Sequence, residues 1–282
     1  MFMKKDTQKR HRKIANNIMH YIYKHIDTNL DLEELSIAFN ISKFHMLRIF
    51  KKEFEQNIYE VIKSIRLQKS SILLLTNKDS TITTIAQMCG YSSHGAFNRV
   101  FKTRYKMSPK EWRNNGYKKT LNENIKKVSF NNEPKIVKMG SSSVYYIRHK
   151  GYDKNIKSAW EKLNFCLLKN NIKEYKAIGF YHDIPLTLNL EECRYTAGII
   201  IDDENIDLPL AKFIMPEVIY AKFEYKGSYE NFFDFINWVH FNWLVNSSYE
   251  TTPEPSFALY KNCKFLDDNQ EFNIEYFVSV EI

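Results

Sequence analysis

The chain lacks what would place it in a membrane, at a metal or in an oxidising compartment. No stretch of its 282 residues approaches the roughly 18 consecutive apolar residues of a membrane span, and the opening MFMKKDTQKRHRK has no apolar signal-peptide core. The expectation is a cytoplasmic protein without a membrane partner. Its four cysteines, Cys89, Cys166, Cys193 and Cys263, lie far apart, with no C-x-x-C and no neighbouring histidine at ligand spacing. That argues against a zinc site or a disulfide framework and leaves buried, reduced thiols. A Ser-His-Asp spacing, a Gly-rich phosphate loop and a metal-ligand cluster are missing too, so no catalytic residue, metal or cofactor is expected.

What is present is divided unevenly. Residues 1–133 hold 25 Lys and Arg against 12 Asp and Glu, a net of +13. Residues 134–282 hold 16 against 21, a net of −5. The length suits two domains, and a basic half joined to an acidic one points to a polyanion for the first and a different partner for the second.

The basic half repeats itself. SKFHMLRIFKK from Ser42 and SSHGAFNRVFKT from Ser92 share the pattern apolar, any residue, Arg, apolar, Phe, Lys. Before each lies a shorter apolar-periodic stretch, in which Ser36, Asn40 and Ser42 correspond to Ala86, Gly90 and Ser92 at an offset of 50. A small residue, then one tolerant of left-handed backbone, then a serine able to cap the next helix is what a helix-turn-helix requires. Helical spacing sends Met46, Ile49, Phe50 and Phe54 inward, and Phe97, Val100, Phe101 and Tyr105 likewise. Phe44, Arg48 and Lys51, and Arg99 and Lys102 with Asn98 at the flank, face outward. An arginine on the outer face of a helix that fits a major groove can grip guanine or a phosphate. NIYEVIKSIRLQKSSILLL, free of Gly and Pro, reads as one rigid helix joining the units. If it spaces them by about 34 Å, one chain reads two adjacent major-groove segments. A first helix with Ile14, Ile18, Ile22 and Ile26 in register precedes both units, and Ser108, Pro109 and Glu111 in MSPKEWR form a capping box that could hold a phosphate.

The doubled motif with Gly90-Tyr91-Ser92, Phe97, Arg99, Phe101-Lys102, Ser108-Pro109-Lys110 and Arg113 resembles the AraC/XylS family of bacterial transcription regulators, over residues 10–115. The resemblance implies that Phe44, Leu47 and Arg48, and His94, Asn98 and Arg99, sit where the family reads bases of double-stranded DNA. Lys43, Lys51, Lys102 and Ser108 join them as expected DNA contacts. Leu47 departs from the polar residue usual there, which would weaken readout by the first unit.

In the acidic half, SSVYYIRHKGYDKNIKSAWEKL is loosely echoed by EVIYAKFEYKGSYENFFDFINWV, each an alternating strand, Lys-Gly, then a helix carrying Trp160 or Trp238. Further strand patterns appear at KAIGFYHD, YTAGIIID, SFALYKN and FNIEYFVSVEI. YYIRHKGYDKNIKSAWEKL, ECRYTAGIIID and NIEYFVSV resemble the GyrI-like effector-binding domain, in the order found in Rob-type regulators. The expected fold is therefore multidomain: an all-α double helix-turn-helix domain at 8–116, a linker at 117–134, and an α+β domain at 135–282 built from two strand-helix-strand-strand repeats. The resemblance implies that Glu275 faces the effector pocket and serves cationic ligands. Beside Phe277, a carboxylate recessed among aromatics would favour a flat cation; a solvent-facing glutamate is the alternative. Tyr146, Trp160, Tyr195, Trp238 and Tyr260 are the other expected ligand contacts, the tryptophans equally suited to the core. A small-molecule effector, possibly a cationic aromatic, is thus the expected second partner, and RNA polymerase a possible third. Two other roles stay open for the acidic half: a small-molecule hydrolase with Glu275 as general base, or a protein-interaction module without ligand.

Overall fold

A computed structural model describes residues 2–282 except 29, 117–129, 131, 154, 186–187, 203–205, 253 and 262–271. The chain separates into two compact units, Met1–Gly116 and Tyr117–Ile282. Most of the expected linker, and Cys263, lie outside the described residues. Cys89, Cys166 and Cys193 are buried and outside any disulfide. Among the described residues no helix is long and apolar enough to cross a membrane.

The first unit is helical: α1 Phe2–Lys24, α2 Leu32–Phe39, α3 Lys43–Phe54, α4 Ile58–Thr76, α5 Ile82–Met88, α6 His94–Tyr105 and a short α7 Pro109–Glu111 running into a π turn, Trp112–Gly116. The helix α1 begins well before its isoleucine stripe, passing through the basic opening. The unit has two cores that share α4. Ile18, Ile22, Leu35, Met46, Phe50, Ile58 and Ile62 make the first; Leu73, Leu74, Ile85, Phe97, Phe101 and Trp112 are buried in the second half. Each turn uses the left-handed residue the sequence provides, Asn40 at φ 49° and Gly90 at φ 75°. Ser42 caps α3 by accepting from the His45 N–H. In the second helix-turn-helix, however, the cap is Ser93, accepting from the Ala96 N–H, and not the expected Ser92. The second turn is one residue longer, so the offset of 50 holds for the first helices and becomes 51 for the second, which is why Arg48 matches Arg99.

The second unit is a curled antiparallel sheet with two helices on its outer face: β1 Lys135–Met139, β2 Ser142–Lys150, α8 Ile156–Lys169, β3 Lys176–Tyr181, β4 Arg194–Ile200, β5 Ala211–Met215, β6 Val218–Gly227, α9 Tyr229–Trp238, β7 Glu250–Thr251, β8 Ser256–Tyr260 and β9 Phe272–Glu281. A π turn, Val239–Trp243, carries α9 into α10, Leu244–Asn246. The main sheet runs β1-β6-β9-β8-β3-β4-β2-β5. The two repeats, β2-α8-β3-β4 and β6-α9-β8-β9, meet where β3 pairs with β8. The sequence patterns had not shown β1 and β5, which lead into β2 and β6 yet pair with the opposite repeat, β1 with β6 and β5 with β2. These crossed edges bind the halves together. The curl shows in the side chains: Phe213 on β5 and Phe180 on β3 have β2 and β4 between them, about 14 Å in a flat sheet, yet their rings are 5.3 Å apart.

On the helix-covered face lies His240, buried in the π turn, its Nε2 at 3.3 Å from the Tyr276 hydroxyl and 3.4 Å from Ser256 Oγ. Burial holds its pKa down at about 4, against about 6.5 in an unfolded chain. The unfolded chain therefore binds a proton that the folded unit refuses. The stabilising effect is complete above pH 6.5 and is lost as pH falls toward 4, at up to about 1.4 kcal/mol per pH unit. His182, pushed down by burial and then by Arg148 and Arg194, adds to the same slope. Urea unfolding of the chain followed by tryptophan fluorescence is expected to show a falling midpoint between pH 6.5 and 5, with a smaller slope in His240→Gln. A slope unchanged by that substitution would remove the histidine from the account.

Candidate nucleic-acid interface and effector face

Each 12-residue helix α3 and α6 buries the side predicted to face inward: Met46, Ile49 and Phe50 in one, Phe97 and Phe101 in the other. Arg48 and Arg99 are the sixth residues of these helices and both are exposed. Around Arg48 stand Phe44, 78% exposed, and the exposed Lys51; Lys102 is exposed beside Arg99. Arg48 reaches His45 Nδ1 at 3.1 Å, and the His45 ring meets His11 of α1 edge-on at 5.1 Å. Asn98 Nδ2 can only donate, so its 2.7 Å contact with His94 Nε2 makes that nitrogen the acceptor. The proton then sits on Nδ1, 3.2 Å from Thr83 Oγ1. His94 and Asn98 are thus a pre-formed pair at the start of α6.

Three expected contacts have other engagements. Lys43 is ion-paired with Glu33. Leu47 is half-buried and packs on the first core, leaving less of it for a thymine methyl. Ser108 closes the expected capping box, with its N–H and hydroxyl both donating to Glu111 Oε2 at 2.7 Å. These polar groups serve the helix start before they serve a phosphate.

Two arginines, Arg66 and Arg113, tie α4 to the segments around it. Arg66, half-buried at the middle of α4, donates to the Ile26 carbonyl at 3.2 Å and the Thr28 carbonyl at 2.8 Å. It also stacks 5.8 Å from the Tyr91 ring. A Cβ on Gly90 would lie 2.7 Å from its guanidinium, so the glycine answers both to its left-handed backbone and to this neighbour. Arg113 closes the far end of α4, donating to the carbonyls of Leu74 at 3.1 Å and Ser80 at 2.8 Å. At 1.5 Å per residue the strut α4 is about 28 Å long.

In the second unit, the strand register sorts the four expected ligand residues that lie on strands onto two faces, and the other two, Trp160 and Trp238, lie on helices. Tyr195 and Tyr260 lie on the helix-covered face, where Trp160 Nε1 of α8 donates to the Tyr195 hydroxyl at 3.1 Å. That hydroxyl is 2.8 Å from the Tyr260 hydroxyl, which is 2.9 Å from that of Tyr181. A methyl at Gly179 would overlap this knot. All of these side chains are buried, which favours a core role. Trp238 ends α9 over Phe223 and Phe235. Tyr146 and Glu275 lie on the opposite, inner face, in one lateral row, Glu275-Leu259-Ile178-Gly198-Tyr146. The predicted alternation of Glu275, Phe277 and Ser279 against Ile274, Tyr276 and Val278 agrees with this register. The sequence did not disclose Lys222, whose ammonium donates to Glu275 Oε1 at 2.9 Å, the two side chains being 21% and 25% exposed. Glu275 therefore meets a cation of its own chain; a cationic ligand, or a role as general base, would require Lys222 to be displaced.

Residues 132–281 match the family model of the GyrI-like small molecule binding domain, and residues 35–115 match a helix-turn-helix domain. The chain is 37% identical over 95 residues to the xylose operon regulatory protein of Escherichia coli (strain K12), covering 34% of this chain and 24% of that protein. It is 32% identical over 109 residues to the "Probable transcription factor PqrA" of Proteus vulgaris, covering 36% and 88%. To the regulatory protein SoxS of Escherichia coli (strain K12) it is 29% identical over 103 residues, covering 36% and 95%. The chain spans about a quarter of the length of the xylose regulator it matches.

Proposed function

The chain belongs to the GyrI-like small molecule binding family and, through its helix-turn-helix domain, to the AraC-type regulators, and from this membership we propose that it regulates transcription. Its first unit, residues 8–116, binds two adjacent major-groove segments of duplex DNA, and its second, residues 135–282, senses a small molecule in the cytoplasm. One observation carries the DNA reading: Arg48 and Arg99 are exposed at the same position of two equivalent helices set apart by a single continuous helix. Phosphate contacts from Lys51 and Lys102 supply sequence-independent affinity, whereas the arginines, with the His94 and Asn98 pair, supply base readout. For the second unit the family's description supports ligand binding, and coupling to DNA requires the ligand to favour one arrangement of the units over another.

The test begins with an operator selected from random duplexes by the full chain. Arg99→Ala is expected to weaken binding to that operator by about 1–3 kcal/mol while leaving the affinity for scrambled duplex little changed. A variant that binds the operator as wild type does would sink the assignment.

A further inference from the structure

The inner face of the sheet is basic although the unit that carries it is acidic. Strand register places Lys135, Lys222 and Lys226 on this face from β1 and β6, Arg148 and Lys150 from β2, and Lys176 and Arg194 from β3 and β4. Against these seven stand, among the described residues, four strand carboxylates: Glu224, Glu275, Glu281 and, opposite Glu281 on β7, Glu250. The acids nearest the centre are engaged: Glu275 by Lys222 at 2.9 Å, and Asp183, just beyond β3, by Arg194 Nε at 2.8 Å.

The face is also aromatic. One lateral row reads Lys222-Phe277-Phe257-Phe180-Thr196-Arg148. The rings of Phe277 and Phe257 are stacked at 4.6 Å, and those of Phe257 and Phe180 follow at 5.7 Å. A ladder of three phenylalanines thus has a cation at each end. At the Arg148 end the guanidinium lies 5.0 Å over the Tyr146 ring, and the Thr196 hydroxyl is 2.8 Å from His182 Nε2. The ladder is covered on that side by Phe213, carried by β5, a five-residue edge strand whose one neighbour in the sheet order is β2.

We propose that this inner face binds a planar aromatic anion, its negative group, a carboxylate in the simplest case, at Arg148 and Thr196 and its ring in the place Phe213 vacates beside Phe180. Planar N–H donors of an arginine match a carboxylate, whereas the carboxylate nearest the centre of this face, Glu275, already holds Lys222, and a cation on the same row would meet Lys222 or Arg148 at either end. The proposal rests on the reading that the second unit binds a small molecule, and it reverses the charge that Glu275 alone suggests.

The experiment compares three probes of one shape by calorimetry on the full chain at fixed ionic strength: 1-naphthoate, 1-naphthyltrimethylammonium and 1-naphthalenemethanol. Naphthoate is expected to bind at least tenfold more tightly than the ammonium compound. Arg148→Gln should lose tenfold or more for naphthoate and leave the neutral alcohol unchanged. Lys222→Gln, which releases Glu275, should shift preference toward the cation, and it serves if the Arg148 variant does not fold. Tighter binding of the ammonium compound to the wild-type chain overturns the proposed charge while the small-molecule reading stands. Equal naphthoate affinity in wild type and Arg148→Gln overturns the location. Binding of none of the three probes defeats the small-molecule reading together with the proposal.

Discussion

Arg194→Met is expected to destabilise the second unit by about 3–5 kcal/mol, the cost of breaking a buried ion pair by removing one partner. The Asp183 side chain is wholly buried and that of Arg194 is 11% exposed. Asp183 Oδ2 accepts from Arg194 Nε at 2.8 Å and from the residue-194 backbone N–H at 2.7 Å, and Oδ1 accepts from the second guanidinium nitrogen. Without the guanidinium, the carboxylate keeps its backbone donor but loses its cation in a site that water does not reach. The same loop is fixed from the other side by the Tyr152 hydroxyl, which donates to the Asp183 carbonyl at 2.7 Å. Replacing both partners by apolar residues, Asp183→Leu with Arg194→Met, should recover most of the loss, because no charge then remains to be desolvated. Urea midpoints of the wild type, both single variants and the double variant make a closed cycle. A double variant as unstable as the sum of the singles would show that the two side chains act independently.

The helical unit was largely readable because the signals that build it are local. Three- and four-residue spacing decides that Phe97 and Phe101 are buried and Arg99 is not, and a residue such as Asn40 marks a left-handed turn by its own chemistry. The difference at the α6 cap is local as well: Ser92 and Ser93 are both competent caps, and only the longer second turn selects Ser93. In the second unit, alternation told which residues share a face of β9, yet not which strand lies beside it. The contact between Glu275 and Lys222 depends on a pairing register that joins positions 53 residues apart. No local pattern encodes that. For the same reason Tyr146 and Tyr195, both strand tyrosines of one repeat, read alike although they lie on opposite faces. The strands KIVKM and AKFIM carry too weak a local signal, because five residues with lysines among the apolar positions give too short an alternation, as suits edge strands that must resist further pairing.

Arg66→Ala should cost the first unit about 2–4 kcal/mol and, separately, loosen the geometry on which bipartite DNA binding depends. The side chain makes two hydrogen bonds to backbone carbonyls beyond the end of α1, and hydrogen bonds from a charged donor are worth about 1.5–3 kcal/mol each when partly buried. Its guanidinium also fills the space against Gly90 and the Tyr91 ring, so alanine leaves a gap at the turn that aims α6. Burial lowers the pKa of Arg66 but leaves it charged throughout the working range, so pH should not reproduce the effect of the substitution. The residue holds the segment after α1, which belongs to the first helix-turn-helix, and the turn of the second from one point on their shared helix. The loss should therefore appear in the spacing of the two helix-turn-helices as well as in stability. At a temperature where both proteins are folded, Arg66→Ala is expected to bind an isolated half-site as wild type does and the complete operator at least fivefold more weakly. It should also tolerate operators whose half-sites are moved by one base pair better than wild type. Equal losses on half-site and full operator would mean that Arg66 stabilises the fold without setting the distance between its two reading helices.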